Sequence, residues 1–379
     1  MNAKRRLLFI DGPLGGGGAE RVLIDILRNI DYSRYDVDLA VICRGGALMD
    51  EVPPEVNVIE LWDGYTTGYK IATRLSLWFR CNGLLSRKMN GPKLRRDYDL
   101  EISFLEGMPT KLGALRTTEA KKAAWVHVDL DRFRYETAQF YPGEEERAYN
   151  SMTYIVNVSN DCETAFCRRF PDCTTARRII YNPIDRNKIL RMAAEKSHSR
   201  NGCAMTAVMV GRLTPQKAPE RFLEVARLAK EAGLDIQFKW VGDGPLRDAM
   251  LERAKAFGLE DRVEFTGFQK NPFPHIASAD VLMVTSDFEG FCLVIPEAMC
   301  LGVPVISTRT AGPSEIIGNN EYGILTDFSA QSLFDALKDL YDKPEERKRL
   351  ARTAIRRPND YSVENAVGNL YKLIDDESF

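Results

Sequence analysis

No stretch of this 379-residue chain is apolar over the roughly 20 residues that a membrane-crossing helix needs. Neither sign of charge dominates: 52 basic residues oppose 54 acidic ones, for a net charge of −2. No overall field therefore draws the protein to nucleic acid. The eight cysteines, at 43, 81, 162, 167, 173, 203, 292 and 300, contain no CxxC pair. The tightest group, Cys162, Cys167 and Cys173, lacks zinc-type spacing, so reduced thiols of a cytosolic protein are expected. The N-terminal MNAKRRLLFIDG has too short an apolar run, and no small-residue cleavage site, to be a secretory signal. It reads as a first strand. Short repeats and low-complexity tracts are absent too. What remains is the composition of a soluble globular protein, 44% hydrophobic and 28% charged, long enough for two domains.

The order of the apolar segments gives the fold class. RLLFI (6–10), VDLAVIC (37–43), VNVIEL (56–61), LEISFLE (100–106), KKAAWVHVD (121–129) and TYIVNVS (153–159) read as strands. Helical segments fall between most of them, beginning with AERVLIDILRNI (19–30), whose Val22, Leu23, Ile26, Leu27 and Ile30 share a face. The pattern restarts near Tyr181, at the turn-forming YNPID (181–185), and a polar segment follows at 195–202. AVMVGRL (207–213), IQFKWVGDG (236–244), VEFTGF (263–268), ADVLMVTS (279–286), VPVIST (303–308) and GILTD (323–327) form a second series, with APERFLEVARLAKEAG (218–233) as a helix. Strands alternating with helices predict an α/β protein of two Rossmann-like halves, 1–180 and 181–360.

Three stretches carry chemistry. GPLGGGGAERV (12–22) sits between a strand and a helix, as a phosphate loop would. It lacks the Gly-Lys-Ser/Thr of a nucleoside-triphosphate loop. It also fails GxGxxG, since Glu20 stands where the third glycine belongs. Glycine and a helix N-terminus would still admit an anion at Gly15, Gly16 and Gly17. GRLTPQK (211–217) sets Arg212 at a strand end and Lys217 near the next helix, a pair suited to a diphosphate. EGFCLVIPE (289–297) follows a strand and spaces Glu289 and Glu297 by seven residues. Carboxylates at the C-terminal ends of strands can accept hydrogen bonds from ribose or sugar hydroxyls.

In order, GRL-x3-K, VGDGP (241–245), TGF (266–268), E-x7-E, EAMCLGVPVIST (297–308) and AGPSEII (311–317) resemble the second half of a retaining GT-B glycosyltransferase of the family-4 type, the glycosyl transferases group 1. GGGGAERV (15–22) and WVHVD (125–129) match the first half of that pattern. The resemblance implies two Rossmann-like domains facing across a cleft. A last helix, 361–379, would return from the second domain to the first. It implies a first domain on the acceptor side and a second that holds a nucleotide sugar. Glu297 would hold the ribose, and Arg212 and Lys217 the diphosphate. Glu289, with Gly290, Phe291 and Leu293, would contact donor sugar and phosphate, and Phe268 would also line the donor site. His127 would face the transferred sugar, and the Gly15–Gly17 loop would close over the phosphates. No metal or other cofactor is implied, because cations and a helix N-terminus neutralise the leaving group. The resemblance to surface-polysaccharide members suggests a UDP-linked hexose or N-acetylhexosamine moving to a glycan or lipid-linked glycan.

Competing readings have their own marks. Asp129-Leu130-Asp131 is a D-x-D, the metal signature of the other large glycosyltransferase fold, though a two-Rossmann layout is wrong for that fold. A nucleotide-sugar 2-epimerase shares the GT-B architecture, as would a non-catalytic nucleotide-sugar-binding subunit. Residues 70–96 hold eight Lys/Arg and no Asp or Glu. Ile71, Leu75, Trp78 and Leu85 are predicted to share one helical face there, the composition of a helix on an anionic membrane surface. A cytoplasmic protein, peripheral on the inner face of the cell membrane, is the matching expectation.

Overall fold

The computed structural model describes residues 3–132, 136–195 and 203–375. The chain divides into two compact units, Met1–Pro183 with Val363–Phe379, and Ile184–Ser362. The polar segment expected at 195–202 lies, beyond Glu195, outside the described residues.

The first unit is built on a parallel sheet of β1 (Arg5–Asp11), β2 (Tyr35–Cys43), β3 (Asn57–Trp62), β4 (Leu100–Ser103), β5 (Lys121–Val126), β6 (Tyr154–Asn157) and β7 (Ala176–Ile179). Their spatial order is β3-β2-β1-β4-β5-β6-β7. Leu7, Leu8, Phe9 and Ile10 are all fully buried. A central parallel strand is covered by helices on both faces, so its sequence is a continuous apolar run rather than an alternation. β7 has no counterpart in the sequence reading. Its Ala-Arg-Arg-Ile is short and half-exposed at the sheet edge, so no apolar run marks it.

The second unit repeats the plan with β8 (Met205–Val210), β9 (Ile236–Val241), β10 (Val263–Phe265), β11 (Val281–Val284), β12 (Val305–Thr308) and β13 (Ile324–Thr326). The order is β10-β9-β8-β11-β12-β13. Each sheet therefore has a point where the strand order reverses, between β1 and β4 in the first and between β8 and β11 in the second. At such a point, loops on neighbouring strands diverge to opposite faces and leave a crevice beyond the strand ends.

Several strands stop short of their apolar runs. β4 ends at Ser103 rather than 106 and β5 at Val126 rather than 129, which leaves Glu106 and His127 in loops. The Glu106 carboxylate causes this locally: its Oε1 accepts the backbone N–H of His127 and of Val128 (3.0 Å for the latter).

The single amphipathic face expected over 71–85 is overturned. The segment forms two helices, Thr67–Phe79 and Gly83–Met89, broken at Arg80 in the left-handed region (φ 51°). Leu85 is buried in the core, while Ile71 and Trp78 are exposed and Leu75 is half-buried. The helix Val363–Asp375 belongs to the first unit, as expected for a returning last helix. Its Tyr371 ring stacks on Tyr35 with centroids 4.7 Å apart. Lys121 donates to the Ile374 carbonyl at 2.8 Å.

Candidate active site

In the second unit the reversal point gathers the loop after β8 and the loop after β11. Asp287 N donates to the Gln216 carbonyl at 2.8 Å, Gln216 Nε2 to the Phe288 carbonyl at 3.1 Å, and Thr285 Oγ1 to the Lys217 carbonyl at 2.7 Å. These bonds fix Lys217, at the end of the short turn Pro215–Lys217, beside Glu289. Lys217 Nζ lies 2.5 Å from Glu289 Oε1, and Ser286 Oγ donates to the same oxygen at 2.6 Å. Burial alone would depress the ammonium's pKa, but the Glu289 carboxylate outweighs it and the pKa is raised. Arg212 stands on the same loop, exposed, and among the described residues its guanidinium has no partner. One paired cation and one unpaired cation thus lie at the end of a central parallel strand.

Close packing explains the glycines of two motifs. A Cβ on Gly242 (φ 144°), in VGDGP, would strike the Gly211 carbonyl. A Cβ on Gly312, in AGPSEII, would meet Phe291 Cα at 2.5 Å. The loop Glu289–Leu293 is therefore pressed against the start of the helix Ala311–Ile317. Within it, Cys292 holds φ 70°, a region L-residues rarely adopt, so strain is concentrated in this loop. Burial pushes its thiol pKa well up, which keeps it neutral. Phe291 is buried, edge-on to Tyr361 at 5.2 Å. Glu297 lies half-buried in the first turn of the helix Val294–Cys300, and Phe268 is exposed after β10.

In the first unit the glycine loop leads into the helix Gly18–Leu27. It is anchored at Leu14, whose N–H donates to Gly45 and whose carbonyl accepts from Leu48. Gly16 has φ 98°, and the Glu20 carboxylate lies against Gly17. Beneath the loop, Asp11 ends β1 fully buried. Burial, then Glu20 and Glu106, push its pKa well above the usual carboxylate range. Its Oδ1 accepts from Gly12 N at 2.6 Å, and its Oδ2 has no partner. His127 follows β5. Burial drives its pKa down to about 3, so the imidazole is neutral at physiological pH. Its ring lies 5.0 Å from Phe104.

Residues 193–357 match the family described as glycosyl transferases group 1. Residues 193–357 are a group 1 glycosyl transferase domain. Among curated relatives, an alpha-D-kanosaminyltransferase of Streptomyces kanamyceticus is 33% identical over 38% of this chain. A GDP-mannose-dependent alpha-(1-6)-phosphatidylinositol dimannoside mannosyltransferase of Mycobacterium tuberculosis is 28% identical over 64% of it. The chain spans 38% and 65% of those two relatives, less than two thirds of either. The solved structure of Anabaena Alr3699/HepE in complex with UDP is 20% identical, covers 98% of this chain and 100% of its own, and superposes with a TM-score of 0.76. The two Rossmann-like units thus make a GT-B fold, and the resemblance read from the motifs is borne out.

Within the group 1 domain the structure brings Lys217 and Glu289 into contact and sets Arg212 on the loop that carries Lys217. Glu297, Gly290, Phe291 and Leu293 follow on the β11 loop and its helix. The D-x-D acids of the first unit have other partners. Asp129 caps a turn, accepting from Asp131 N at 3.0 Å and Arg132 N at 3.3 Å, and Asp131 pairs with Arg168 at 2.6 Å. Sequence reasoning missed Ser286, Asp11 and Glu106. Asp11 and Glu106 carried a usable signal: each is an acid closing an apolar run where that run enters a loop.

Proposed function

We propose that the chain is a retaining glycosyltransferase that moves a hexose or N-acetylhexosamine from a UDP-sugar to a glycan or lipid-linked glycan in surface polysaccharide synthesis. The observation that carries this reading is the Lys217–Glu289 contact with the unpaired Arg212 beside it. An incoming diphosphate would compete with Glu289 for Lys217 and take up Arg212 directly. Glu289 would then be released to accept hydrogen bonds from the donor sugar. When the bond from the anomeric carbon to the diphosphate breaks, negative charge grows on the departing oxygen. Two cations at that point, Lys217 already held in place and Arg212 free to close on the diphosphate, would stabilise it. Glu297 is assigned the ribose hydroxyls; Gly290, Phe291, Leu293 and Phe268 the rest of the donor. His127, neutral, is assigned the transferred sugar, and Gly15–Gly17 the phosphates through backbone N–H groups. On this reading no divalent ion is needed, and transfer continues in excess EDTA.

UDP is favoured over GDP because the structurally similar HepE is solved with UDP and with UDP-glucose. A lipid-linked acceptor is supported by the phosphatidylinositol-linked acceptor in the mycobacterial relative's name, and implies a place at a membrane face. The test is a panel of nucleotide sugars screened for thermal stabilisation, since a ligand held by the folded state raises its stability with concentration. UDP-sugars should raise the melting temperature. Stabilisation by GDP-mannose alone would reverse the donor assignment. Incubation with donor and no acceptor that yields a 2-epimer would replace transfer with epimerisation, and donor binding without turnover on any acceptor would leave a binding subunit.

A further inference from the structure

The helix Thr67–Phe79 leaves much of its apolar surface outside, although Tyr69 packs against the core and Leu75 and Leu77 are half-buried. Its buried residues are Ala72 and Ser76, while Ile71, Trp78 and Phe79 face solvent, the last two 72% and 70% exposed. An ordinary surface helix does the reverse and turns its large apolar side chains inward. Tyr65 and Leu84, on either side in sequence, are exposed as well. Of the nine large hydrophobic residues exposed among the described residues, five therefore fall within positions 65–84. Clustering of that kind marks a contact surface.

The charge around it has one sign. From Asp63 to Asp97 there is no acidic residue. The eight cations of 70–96 divide into two groups. Lys93 donates to the Glu60 carbonyl at 2.9 Å, Arg95 lies 3.6 Å from Asp36, and Arg96 donates to the Asn90 carbonyl at 3.3 Å, so these three are engaged by the fold. Lys70, Arg74, Arg80, Arg87 and Lys88 form no ion pair among the described residues. Arg74 lies over the Trp78 ring at 5.8 Å, Lys88 over Trp62 at 5.3 Å, and Arg80 over Tyr141 at 5.8 Å. Cations on apolar stems beside aromatic rings suit a layer that is anionic at the surface and oily beneath.

The surface stands on a fixed base. At the break between the two helices, Ser76 Oγ donates to Asn82 Oδ1 at 2.6 Å, and Asn82 Nδ2 to Glu144 Oε1 at 2.6 Å. Glu144 is buried and paired with buried Lys111 at 2.8 Å, so its charge does not reach the surface. Ala72, Leu85 and Met89 sit in the core beneath. The aromatic end is thus held outward before any partner arrives, and docking requires little further ordering.

We propose that Trp78 and Phe79, with Arg74, Arg80, Arg87 and Lys88 on the same pair of helices and the turn between them, dock the first unit on an anionic lipid bilayer. This deepens the membrane-facing part of the proposed function but is measured without donor or acceptor, so the two can fail separately. The full chain is floated with vesicles of phosphatidylcholine, with and without phosphatidylglycerol. It should float with the anionic vesicles at low salt and dissociate as salt rises, since the screening length is only about 10 Å at 0.1 M. Trp78→Ser with Phe79→Ser, and separately Arg74→Gln, Arg80→Gln, Arg87→Gln and Lys88→Gln together, should each weaken binding by more than roughly tenfold. Lys93→Gln with Arg96→Gln should not. All these positions except half-buried Lys88 are exposed, and unchanged thermal unfolding confirms that each variant folds. Equal flotation with neutral vesicles, or parental binding by the Trp78/Phe79 variant, would overturn the proposal. So would a dimer in solution that this variant dissolves, because the patch would then be covered by a second copy.

Discussion

The two reversal points share an architecture and differ in charge. Beyond β8 and β11 lie a cation held by a carboxylate and a second cation left open. Beyond β1, β4 and β5 lie Asp11, Glu106 and His127, with Glu20 above them. There the burial that keeps the imidazole neutral, with a pKa of about 3, also raises the Asp11 carboxyl, and no cation is among the groups acting on that carboxyl. A diphosphate would find cations in the first environment, whereas the second offers it only the backbone of the glycine loop. A neutral ligand would suit the second better, where Asp11 Oδ2 is buried without a partner. One fold used twice in one chain thus carries different side chains at its two sets of strand ends, and on the proposed function that difference divides the ligands between them.

The sharpest way to break this comparison is to remove the paired cation. Lys217→Met should slow transfer on the order of 10²–10³-fold at saturating donor, the usual loss for one group that stabilises developing oxyanion charge. A change below tenfold in the initial rate would mean that the diphosphate is held elsewhere. Next in size is nucleotide affinity. Glu297→Ala should weaken UDP binding by about 1.5–3 kcal/mol, the range for a hydrogen bond to a charged group. Asp11→Asn should leave it nearly unchanged, and Glu289→Ala, which frees Lys217, should not weaken it. Calorimetry that finds equal losses for Glu297→Ala and Asp11→Asn would erase the distinction between the two units.

The smallest effect concerns pH. In the unfolded chain His127 titrates near 6.5, well above its folded value of about 3, so the unfolded state binds the proton first. Stability is therefore lost as pH falls below about 6.5, by up to about 2 kcal/mol near pH 5. His127→Gln should lose less on the same descent in thermal melts. Asp11 has the opposite sign: its folded pKa is raised, so its contribution is lost as pH rises through that value, and Asp11→Asn should flatten the curve on that side. Parallel melting curves for parent and variants would show that neither group is as dry as its surroundings imply.

The sequence made the central strands legible because burial on both faces writes them as unbroken apolar runs. β7 was not legible, since an edge strand with two arginines carries no such run. The cation-and-acid set of the second unit could be read from spacing, because its motifs follow one another along two loops. The Lys217–Glu289 contact could not, as it joins residues 72 apart in sequence. Residues 70–85 misled for a physical reason: a 3.6-residue period shows that large apolar side chains share a face but not whether that face points inward. Here Ala72 and Ser76 point inward.

The last helix has a consequence for the order in which the protein can be assembled on the ribosome. The helix Val363–Asp375 buries Leu370, Leu373 and Ile374 within the first unit, although Ile184–Ser362 is synthesised before it. At about 5–20 residues per second, the first unit waits roughly 10–40 s for this segment while the second is being synthesised. During that interval Tyr35 lacks its stacking partner and the Lys121 ammonium its carbonyl. The first unit therefore cannot finish folding until the second has been synthesised. Its unfinished surface is what a chaperone or protease would meet on the nascent protein throughout that interval.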